Sequence, residues 1–563
     1  MYLSSLLSAK TETLPECLPL SKRGVIIEYH YLWDGTVVKL KHKMPHKVEL
    51  NADFRRALDL MERGNKSIFI TGRAGTGKST LLEYFRNSTT KKVAVLAPTG
   101  VAALNVRGQT IHSFFGFKPD ITLEKVRRLR SNSQVEIYNK LDIIVIDEVS
   151  MVRADLLDCV DRFLRLNGPD SALPFGGIRM VFIGDLYQLP PVVTGTERAA
   201  FEACYDTPYF YSASVFQSFE TDFVELEKVY RQHDRDFIEF LNAIRNNSIT
   251  EEGMDMLNTR YQPDFEPPVD DFFICLTTTN QMAREVNDSR LITLDTSLYT
   301  FTARIKGEFG KEYLPTAVDL QVKVGAQVMM LNNDAAQRWV NGSVGKIVDI
   351  VPESDEAVII VELQSGDTVD VKPHTWEIFS FYADEGKLQS KVVGSFTQYP
   401  LMLAWAVTIH KSQGKTFEKV VIDIGRGAFA HGQTYVALSR CTTLEGIVLK
   451  RPILKKHVWS DYRIRDFLTK YQYGKAEKAC PMEDKRRLIE ETIKEQGLIE
   501  IVYLKPNDEK SKRIVRPLTV GEMEYQGKRY LGLRAFCTMR KEERTFRVDR
   551  ILKIKCVPTL SGA

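Results

Sequence analysis

The sequence predicts an α/β protein with two parallel-sheet regions, a small inserted β-barrel and a mainly-β module at the C-terminus. Short apolar runs such as Val93–Pro98, Asp142–Glu148 and Met180–Asp185 alternate with polar helical segments, which is typical of strands buried on both faces of a parallel sheet. Between residues 300 and 398 the pattern changes to short β-like runs separated by Asn-Gly, Ser-Gly and Glu-Gly pairs, which favours a small barrel.

Length and composition place the chain among ordinary globular proteins. A chain of 563 residues is too long for one core and predicts about three to five domains. The hydrophobic fraction of 44% is ordinary, and no apolar run approaches the ~20 residues of a membrane span. The eight cysteines form no C-x-x-C pair, which predicts reduced thiols in the cytoplasm and no zinc site.

The first 63 residues lead up to the main motif. Residues 1–47 contain a predicted hairpin with Asp34-Gly35 at its turn, and the interpretation we favour is a small structural appendage. Val48–Arg63 has the apolar spacing of a helix, and Asn51 is a suitable N-cap.

A phosphate-binding loop follows. The β-prone run Ile68–Thr71 enters Gly72–Ser79, which has the pattern G-x-x-x-x-G-K-[ST], and a helical segment comes next. Backbone N–H groups of such a loop surround phosphate, Lys78 reaches the β- and γ-phosphates, and the Ser79 hydroxyl binds Mg²⁺. The chain is therefore predicted to bind a nucleoside triphosphate, and the predicted nucleotide-binding residues are Gly72, Ala74, Gly75, Thr76, Gly77, Lys78, Ser79 and Thr80.

Residues for hydrolysis follow later strands. Asp147 and Glu148 end the run DIIVIDE, where an aspartate holds Mg²⁺ through water and a glutamate polarises the attacking water. Gln188 lies on a loop after another predicted strand and can contact the γ-phosphate. Arg231 and Arg440 are candidates to neutralise the transferring phosphoryl group. Together with Lys78, these side chains are the predicted catalytic set: Glu148, Gln188, Arg231 and Arg440.

Three stretches are candidates for contacts with nucleic acid. Thr99-Gly100, Thr110–Phe115 and Thr408–Thr416 combine hydroxyls, glycines, histidines and Lys411, which suits binding of phosphates without reading bases. Phe114 and Phe115 are candidates to stack on bases, although a core position is at least as probable for one of them. The predicted DNA-contacting residues are Thr99, His112, Phe114, His410, Lys411 and Ser412.

The motifs resemble those of the Pif-one family of helicases, in superfamily one B beside RecD and Dda. The resemblance covers about residues 48–453, and the segment VRADLLDCVDRFLR looks like the stretch that separates this family from RecD. The motifs are GRAGTGKST, APTGVAA, TIHSFFG, IDEVSM, PFGG, GDLYQLPPV, VYRQ, WVNGSVGKI, LAWAVTIHKSQGKTF and YVALSRCTTLEGI.

The resemblance implies a bacterial, ATP- and Mg²⁺-dependent helicase that moves 5′→3′ on single-stranded DNA, unwinds tailed duplexes and G-quadruplexes, acts as a monomer and serves repair, recombination or telomere maintenance. It implies two RecA-like domains and an SH-three-like barrel. One departure is that Phe54 stands where the family's adenine-reading glutamine is expected.

The predicted boundaries are 1–47 appendage, 48–230 first RecA-like domain with a wedge near 107–133, 231–299 and 399–470 second RecA-like domain, 300–398 barrel, 471–482 linker and 483–563 C-terminal module.

The C-terminal module is similar to WYL domains, although Arg529 replaces the tryptophan of the tripeptide that names them. It carries 19 Lys and Arg against 13 Asp and Glu, a net charge of +6, whereas the whole chain has +4. This charge predicts an anionic ligand, with a merely solvated basic face as the alternative. The predicted ligand-binding residues are Arg534, Arg540, Arg544, Arg547 and Arg550.

Two other functions remain open from the sequence. The first is a RecD-like subunit of a recombination complex, against which the family-specific segment and the WYL-like module argue. The second is a regulatory DNA-binding protein in which ATP only switches conformation. A pure switch needs no group to activate water, so the presence of Glu148 and both arginines argues against it.

Overall fold

The chain was analysed as a computed structural model. The residues that the structure describes are 25–31, 37–43, 50–118, 120–130, 132–193, 195, 197–232, 234–268, 271–336, 338–352, 356–384, 387–425, 430–505, 510–525 and 527–557.

The N-terminal hairpin and the first α/β domain come first in the chain. Strands β1 (Val25–Tyr31) and β2 (Val37–Lys43) pair antiparallel as predicted, while the predicted turn residues Asp34 and Gly35 lie outside the described residues, as do Glu385 and Gly386 of the predicted barrel. The elements of the first domain are α1 (Ala52–Arg63), β3 (Ser67–Gly72), α2 (Lys78–Ser88), β4 (Val93–Ala97), α3 (Gly100–Asn105), β5 (Gln109–Thr110), α4 (Ile111–Phe115), α5 (Asn132–Asn139), β6 (Ile143–Ile146), α6 (Ala154–Asn167), β7 (Arg179–Ile183), α7 (Arg198–Glu202) and β8 (Thr221–Leu226).

The sheet of this domain is six-stranded and parallel. Its strand order is β5-β4-β6-β7-β3-β8. Both faces are buried, since Phe69 belongs to one core cluster while its neighbours Ile68 and Ile70 belong to another. Side chains that follow the carboxyl ends of these strands therefore meet at one edge of the sheet.

The second α/β domain begins after β8 with α8 (Arg235–Arg245), α9 (Glu251–Asn258), β9 (Ile274–Thr277) and α10 (Asn280–Ile292). The chain then forms the predicted β insertion, which consists of β10 (Leu298–Thr302), β11 (Arg304–Gly307), β12 (Asp319–Lys323), β13 (Gln327–Met330), β14 (Val344–Val351), β15 (Val358–Leu363), β16 (Thr368–Val371), β17 (His374–Asp384), β18 (Lys387–Gln398) and β19 (Leu401–Leu403).

The insertion is antiparallel and packs against the first domain. Its strands form three sheets, in the orders β10-β12, β11-β18-β17 and β16-β15-β14-β13-β19. Trp376 of β17 and Phe396 of β18 share a buried cluster with Ala97 and Ala103 of the first domain. The insertion is therefore fixed to the end of β4 and to α3.

The chain returns to the second domain with β20 (Ala406–Thr408), β21 (Val420–Asp423), α11 (Gln433–Leu438) and β22 (Ile447–Leu449). These strands and β9 form a parallel sheet in the order β20-β9-β21-β22. Two parallel sheets in one chain confirm the predicted α/β class.

A long helix, α12 (Tyr462–Ala479), connects the second domain to the C-terminal module. Ile464 and Leu468 belong to the core of the first domain, and the Phe467 ring stacks on Tyr211 with 4.0 Å between centroids. The module itself consists of α13 (Met482–Lys494), β23 (Leu498–Leu504), β24 (Lys510–Tyr525), β25 (Lys528–Cys537), β26 (Glu542–Arg547) and β27 (Ile551–Val557).

The C-terminal module is a five-stranded antiparallel sheet in the order β26-β25-β24-β23-β27. Ile489 of α13 packs into its core with Ile499, Val515 and Leu533. The mainly-β prediction is confirmed. Across the described part of the chain, no helix is long and apolar enough to cross a membrane.

Candidate active site

The glycine-rich loop connects β3 to α2 as predicted. Gly75 and Gly77 adopt positive φ angles of 77° and 84°, which glycine tolerates without strain. The Lys78 Nζ donates to the carbonyl oxygens of Gly72 and Arg73 at 2.8 and 3.0 Å. Burial lowers the pKa of Lys78, against the opposing effect of nearby carboxylates. Ser79 is exposed at the start of α2, so its hydroxyl is accessible to a ligand.

Two carboxylates follow β6. Asp147 is 6% exposed, and Glu148 is held in the left-handed region with φ 49° and ψ 42°. Burial raises the pKa of both side chains, and the neighbouring Asp147 charge raises the pKa of Glu148 further. Such a backbone conformation is costly for a glutamate and is characteristic of functional sites.

The loop after β7 carries Gln188 into the same region. The Gln188 Nε2 lies 3.4 Å from Asp185 Oδ2, and Arg245 Nη2 pairs with Asp185 Oδ1 at 3.2 Å. Arg245 also lies over the Tyr187 ring, 4.0 Å from its centroid. This ion pair joins the two α/β domains. It was not predicted, because an arginine in the last turn of a helix is ordinary and carries no specific signal.

Arg231 lies beside the loop, and the charge of the buried Arg440 acts on Arg231 and on Glu148. Arg231 Nη1 donates to the Ser439 carbonyl at 3.1 Å, and a Cβ added at Gly75 would lie 2.5 Å from the Arg231 Cβ. Arg440 is 1% exposed, and its Nε donates to the Val436 carbonyl at 2.9 Å. Burial and the Arg440 charge lower the pKa of Arg231 to about 9. Burial also lowers the pKa of Arg440 to about 10, although the charge of Glu148 opposes it.

Two further side chains from the second domain reach this site. The Ala74 N–H donates to Tyr435 Oη at 3.0 Å. Gln413 Nε2 donates to Glu148 Oε2 at 3.0 Å and to Gln188 Oε1 at 3.2 Å. Neither was predicted. Both lie within quoted motifs, but a tyrosine in an apolar helix and a glutamine in a polar loop have ordinary structural explanations.

Phe54 lies at the end of the loop where the resemblance places the base. It is 2% exposed and packs edge-on against Tyr230, with 6.5 Å between ring centroids. Asn51 caps α1 as predicted, since its Oδ1 accepts from Phe54 N at 2.9 Å, and its Nδ2 donates to Tyr230 Oη at 3.0 Å. Phe54 therefore contributes an apolar ring and no hydrogen-bonding side chain.

Four of the predicted DNA-contacting residues lie at or near the surface. Thr99 is exposed and its Oγ1 accepts from Ala102 N at 3.3 Å. His112 is half-buried, and burial lowers its pKa. His410 and Lys411 are exposed just after β20. Their positions leave them available to a phosphate backbone.

The other two are placed differently from the prediction. Phe114 is 8% exposed and packs against Phe115 and Tyr138, with 4.9 and 5.6 Å between ring centroids. It is therefore a core residue that cannot stack on a base. Ser412 is fully buried, and its hydroxyl donates to the Ile409 carbonyl at 2.7 Å. Its side chain stabilises the loop instead of facing a ligand.

The predicted arginines of the C-terminal module are mostly paired with carboxylates. Three ion pairs join neighbouring residues: Arg534–Glu543, Arg544–Glu542 and Arg547–Asp549. Among the described residues, Arg540, which is exposed, and Arg550, which is half-buried, form no ion pair. Pairing reduces the attraction of the three arginines for an external anion.

A separate lysine of this module contacts the first domain. Lys510 pairs with Glu225 and lies 3.1 Å from Glu227 Oε1. Glu225 is on β8, the neighbour of the strand that leads into the glycine-rich loop. The Lys510–Glu225 ion pair attaches the module to β8, an edge strand of the sheet whose strand β3 leads into the glycine-rich loop.

The available donors fit a hard divalent cation. In the ranges that the structure describes, no group of three or more His, Cys, Asp or Glu side chains could hold a metal ion alone. Ser79 and Asp147 supply one hydroxyl and one carboxylate. Mg²⁺ takes few protein ligands and fills its coordination sphere with phosphate oxygens and water, so this donor set fits Mg²⁺ bound with a nucleotide.

Two known protein families match separate parts of this chain. The PIF1-like helicase family matches residues 49–255, and the WYL domain family matches residues 485–556. The ATP-dependent DNA helicase Pif1 of Bdellovibrio bacteriovorus is 34% identical over 418 residues, which cover 72% of this chain and 88% of that protein.

Solved structures of Pif1 helicases are similar to this chain as well. Unliganded Pif1 from a Bacteroides species superposes with a TM-score of 0.69 and 36% identity, covering 76% of this chain and 98% of that one. The Bacteroides Pif1 bound to single-stranded DNA gives a TM-score of 0.56 at the same identity and coverages. Given this similarity in sequence and structure, the chain belongs to the PIF1-like helicase family.

Proposed function

We propose that this chain is an ATP-dependent DNA helicase that moves 5′→3′ along single-stranded DNA. The observation that most strongly supports ATP-driven activity is the convergence of residues from both α/β domains near one glycine-rich loop. Lys78 and Glu148 come from the first domain. From the chain after β8, Arg231 lies against Gly75, Tyr435 accepts from the Ala74 N–H, and the charge of Arg440 acts on Glu148. A nucleotide held between two domains couples its hydrolysis to their closure.

Each residue has a distinct role in the proposed hydrolysis. Lys78 and the loop amides bind the phosphates, and Glu148 accepts the proton of the attacking water. Gln188 contacts the γ-phosphate, while Arg231 and Arg440 neutralise the charge that develops on it. Mg²⁺, held through Ser79 and Asp147, would supply further charge neutralisation when bound with the nucleotide.

The proposed partners are single-stranded DNA and tailed duplexes, with G-quadruplex DNA as a further substrate. A solved structure of Bacteroides Pif1 is bound to single-stranded DNA, and another solved Pif1 structure concerns unwinding at forked double-stranded DNA. In this chain, Thr99, His410 and Lys411 are exposed to make such contacts. We further propose that one copy of the chain suffices as the motor and that it works in the cytoplasm.

We expect a strand-displacement assay to distinguish the direction of movement. The purified chain with ATP and Mg²⁺ should unwind a duplex with a 5′ single-stranded tail and leave a matched 3′-tailed duplex intact, because the motor loads on the tail. Unwinding of only the 3′-tailed substrate would contradict the proposed direction. Unwinding that requires a second protein would instead favour a RecD-like subunit, and a lack of DNA-stimulated ATP turnover would favour an ATP-switched regulator.

The C-terminal module is proposed to bind single-stranded DNA or to regulate coupling. We expect Arg540→Glu with Arg550→Glu to weaken binding of the full chain to single-stranded DNA. The slope of log affinity against log salt should fall by about one per lost phosphate contact. The control is the double variant Arg63→Glu with Arg235→Glu, which makes the same change in charge. Both arginines are exposed on helices outside the C-terminal module. Equal slopes for the two variants would contradict a binding role and leave regulation.

A further inference from the structure

The polar loop after β20 links the surface to the hydrolytic residues. The loop spans residues 409–415 and has the exposed pair His410 and Lys411 near its start. The amide of Gln413, further along the loop, lies among the catalytic side chains. Gln413 therefore connects the loop that carries the exposed DNA candidates to two side chains assigned to hydrolysis.

The Gln413 amide holds two catalytic groups at once. Its Nε2 donates to Glu148 Oε2 at 3.0 Å and to Gln188 Oε1 at 3.2 Å. An attacking water would have to compete with this amide for the same carboxylate oxygen. The arrangement therefore opposes activation of water by Glu148.

Hydrogen bonds connect the exposed end of the loop to Gln413. The N–H of Ser412 donates to the Thr408 carbonyl at 3.0 Å, and that of Gln413 donates to the His410 carbonyl at 3.2 Å. The Ser412 hydroxyl adds its bond to Ile409. Because His410 accepts directly from the Gln413 backbone, a displacement of the exposed end also displaces Gln413.

We propose that Gln413 is a positioning residue that restrains Glu148 and Gln188 until DNA binds at His410 and Lys411. Binding of a phosphate backbone shifts the loop, the Gln413 amide leaves Glu148, and the carboxylate becomes free to accept the proton of water. This inference rests on the proposed function, in which Glu148 is the base. In this proposal, DNA stimulates ATP turnover by releasing the hydrogen bond between the Gln413 amide and Glu148.

The test compares ATP turnover without DNA and with saturating single-stranded DNA. For Gln413→Met, which keeps the length of the side chain but loses the donor, kcat without DNA should rise about tenfold, as expected for one lost hydrogen bond to a charged group. The DNA-stimulated rate should change little, so that the stimulation ratio falls, while KM for ATP stays the same. Gln413→Ala should behave in the same way.

Gln364→Ala provides a matched control. Gln364 donates its amide to Glu418 Oε2 at 2.9 Å on the surface, so this variant removes a similar bond outside the site and should leave both rates unchanged. Melting temperature and binding of a fluorescent ATP analogue verify that each variant is folded. An unchanged rate without DNA, or an equal fall of both rates, would overturn the restraint.

Glu148→Gln separates this inference from the function on which it rests. If Glu148→Gln retains DNA-stimulated turnover, Glu148 is not the base and the proposed mechanism fails. If Glu148→Gln is inactive while Gln413→Met keeps the low DNA-free rate of the unaltered chain, only the restraint fails. Both results come from the same assay.

Discussion

Lys78→Ala is expected to abolish ATP-driven unwinding by this PIF1-like helicase. Lys78 is the charged side chain that the glycine-rich loop is expected to direct to the β- and γ-phosphates. In the structure its Nζ donates hydrogen bonds to the carbonyl oxygens of Gly72 and Arg73. Loss of one preorganised donor to developing phosphate charge costs about 10²–10³ in rate. We therefore expect steady-state ATP turnover to fall at least about a hundredfold, with no detectable strand displacement.

Binding of DNA should survive this substitution. The exposed DNA candidates Thr99, His410 and Lys411 lie on other loops, so the affinity for single-stranded DNA without nucleotide should change less than about twofold, in line with a loss confined to phosphate binding. Lys91→Ala, at an exposed lysine beyond α2, is the control and should retain both activities. Unwinding by Lys78→Ala would contradict the proposed nucleotide site.

The sequence predicts the local backbone structure of this site better than the side-chain contacts between its distant segments. The strand, loop and helix around Gly72–Ser79 were predicted because the hydrophobic pattern, the spacing of the glycines and the phosphate-loop motif all indicate the same local structure. The N-cap at Asn51 and the buried strands were predicted for the same reason. Each of these features depends on residues that are close in sequence.

Contacts between distant segments have no such local signal. Arg245 pairs with Asp185 across 60 positions, and Gln413 reaches Glu148 across 265. A glutamine in a polar loop is usually solvated, and only the packing of the two domains brings it to the carboxylate. Burial can also reverse a prediction, as for Phe114, where the aromatic cluster with Phe115 and Tyr138 competes with base stacking. Composition cannot decide between these environments.

Glu148→Gln is expected to stop hydrolysis while nucleotide binding remains. The substitution keeps the size of the side chain but removes the proton acceptor, and positioned general bases contribute about 10²–10⁴ to a rate. We expect kcat to fall by about a thousandfold and the affinity for ATP to stay the same or rise. Turnover in the steady state and equilibrium binding of a fluorescent ATP analogue measure the two quantities.

Asp147→Asn distinguishes a lost base from a lost metal ligand. Asp147 immediately precedes Glu148, and burial raises the pKa of both carboxyl groups, but only Asp147 is assigned to Mg²⁺. Asp147→Asn should therefore weaken ATP binding in the presence of Mg²⁺ and change it little with EDTA, whereas Glu148→Gln should bind ATP with the same Mg²⁺ dependence as the unaltered chain. Equal loss of Mg²⁺-dependent binding in the two variants would assign both carboxylates to the metal and leave the attacking water without its proposed base.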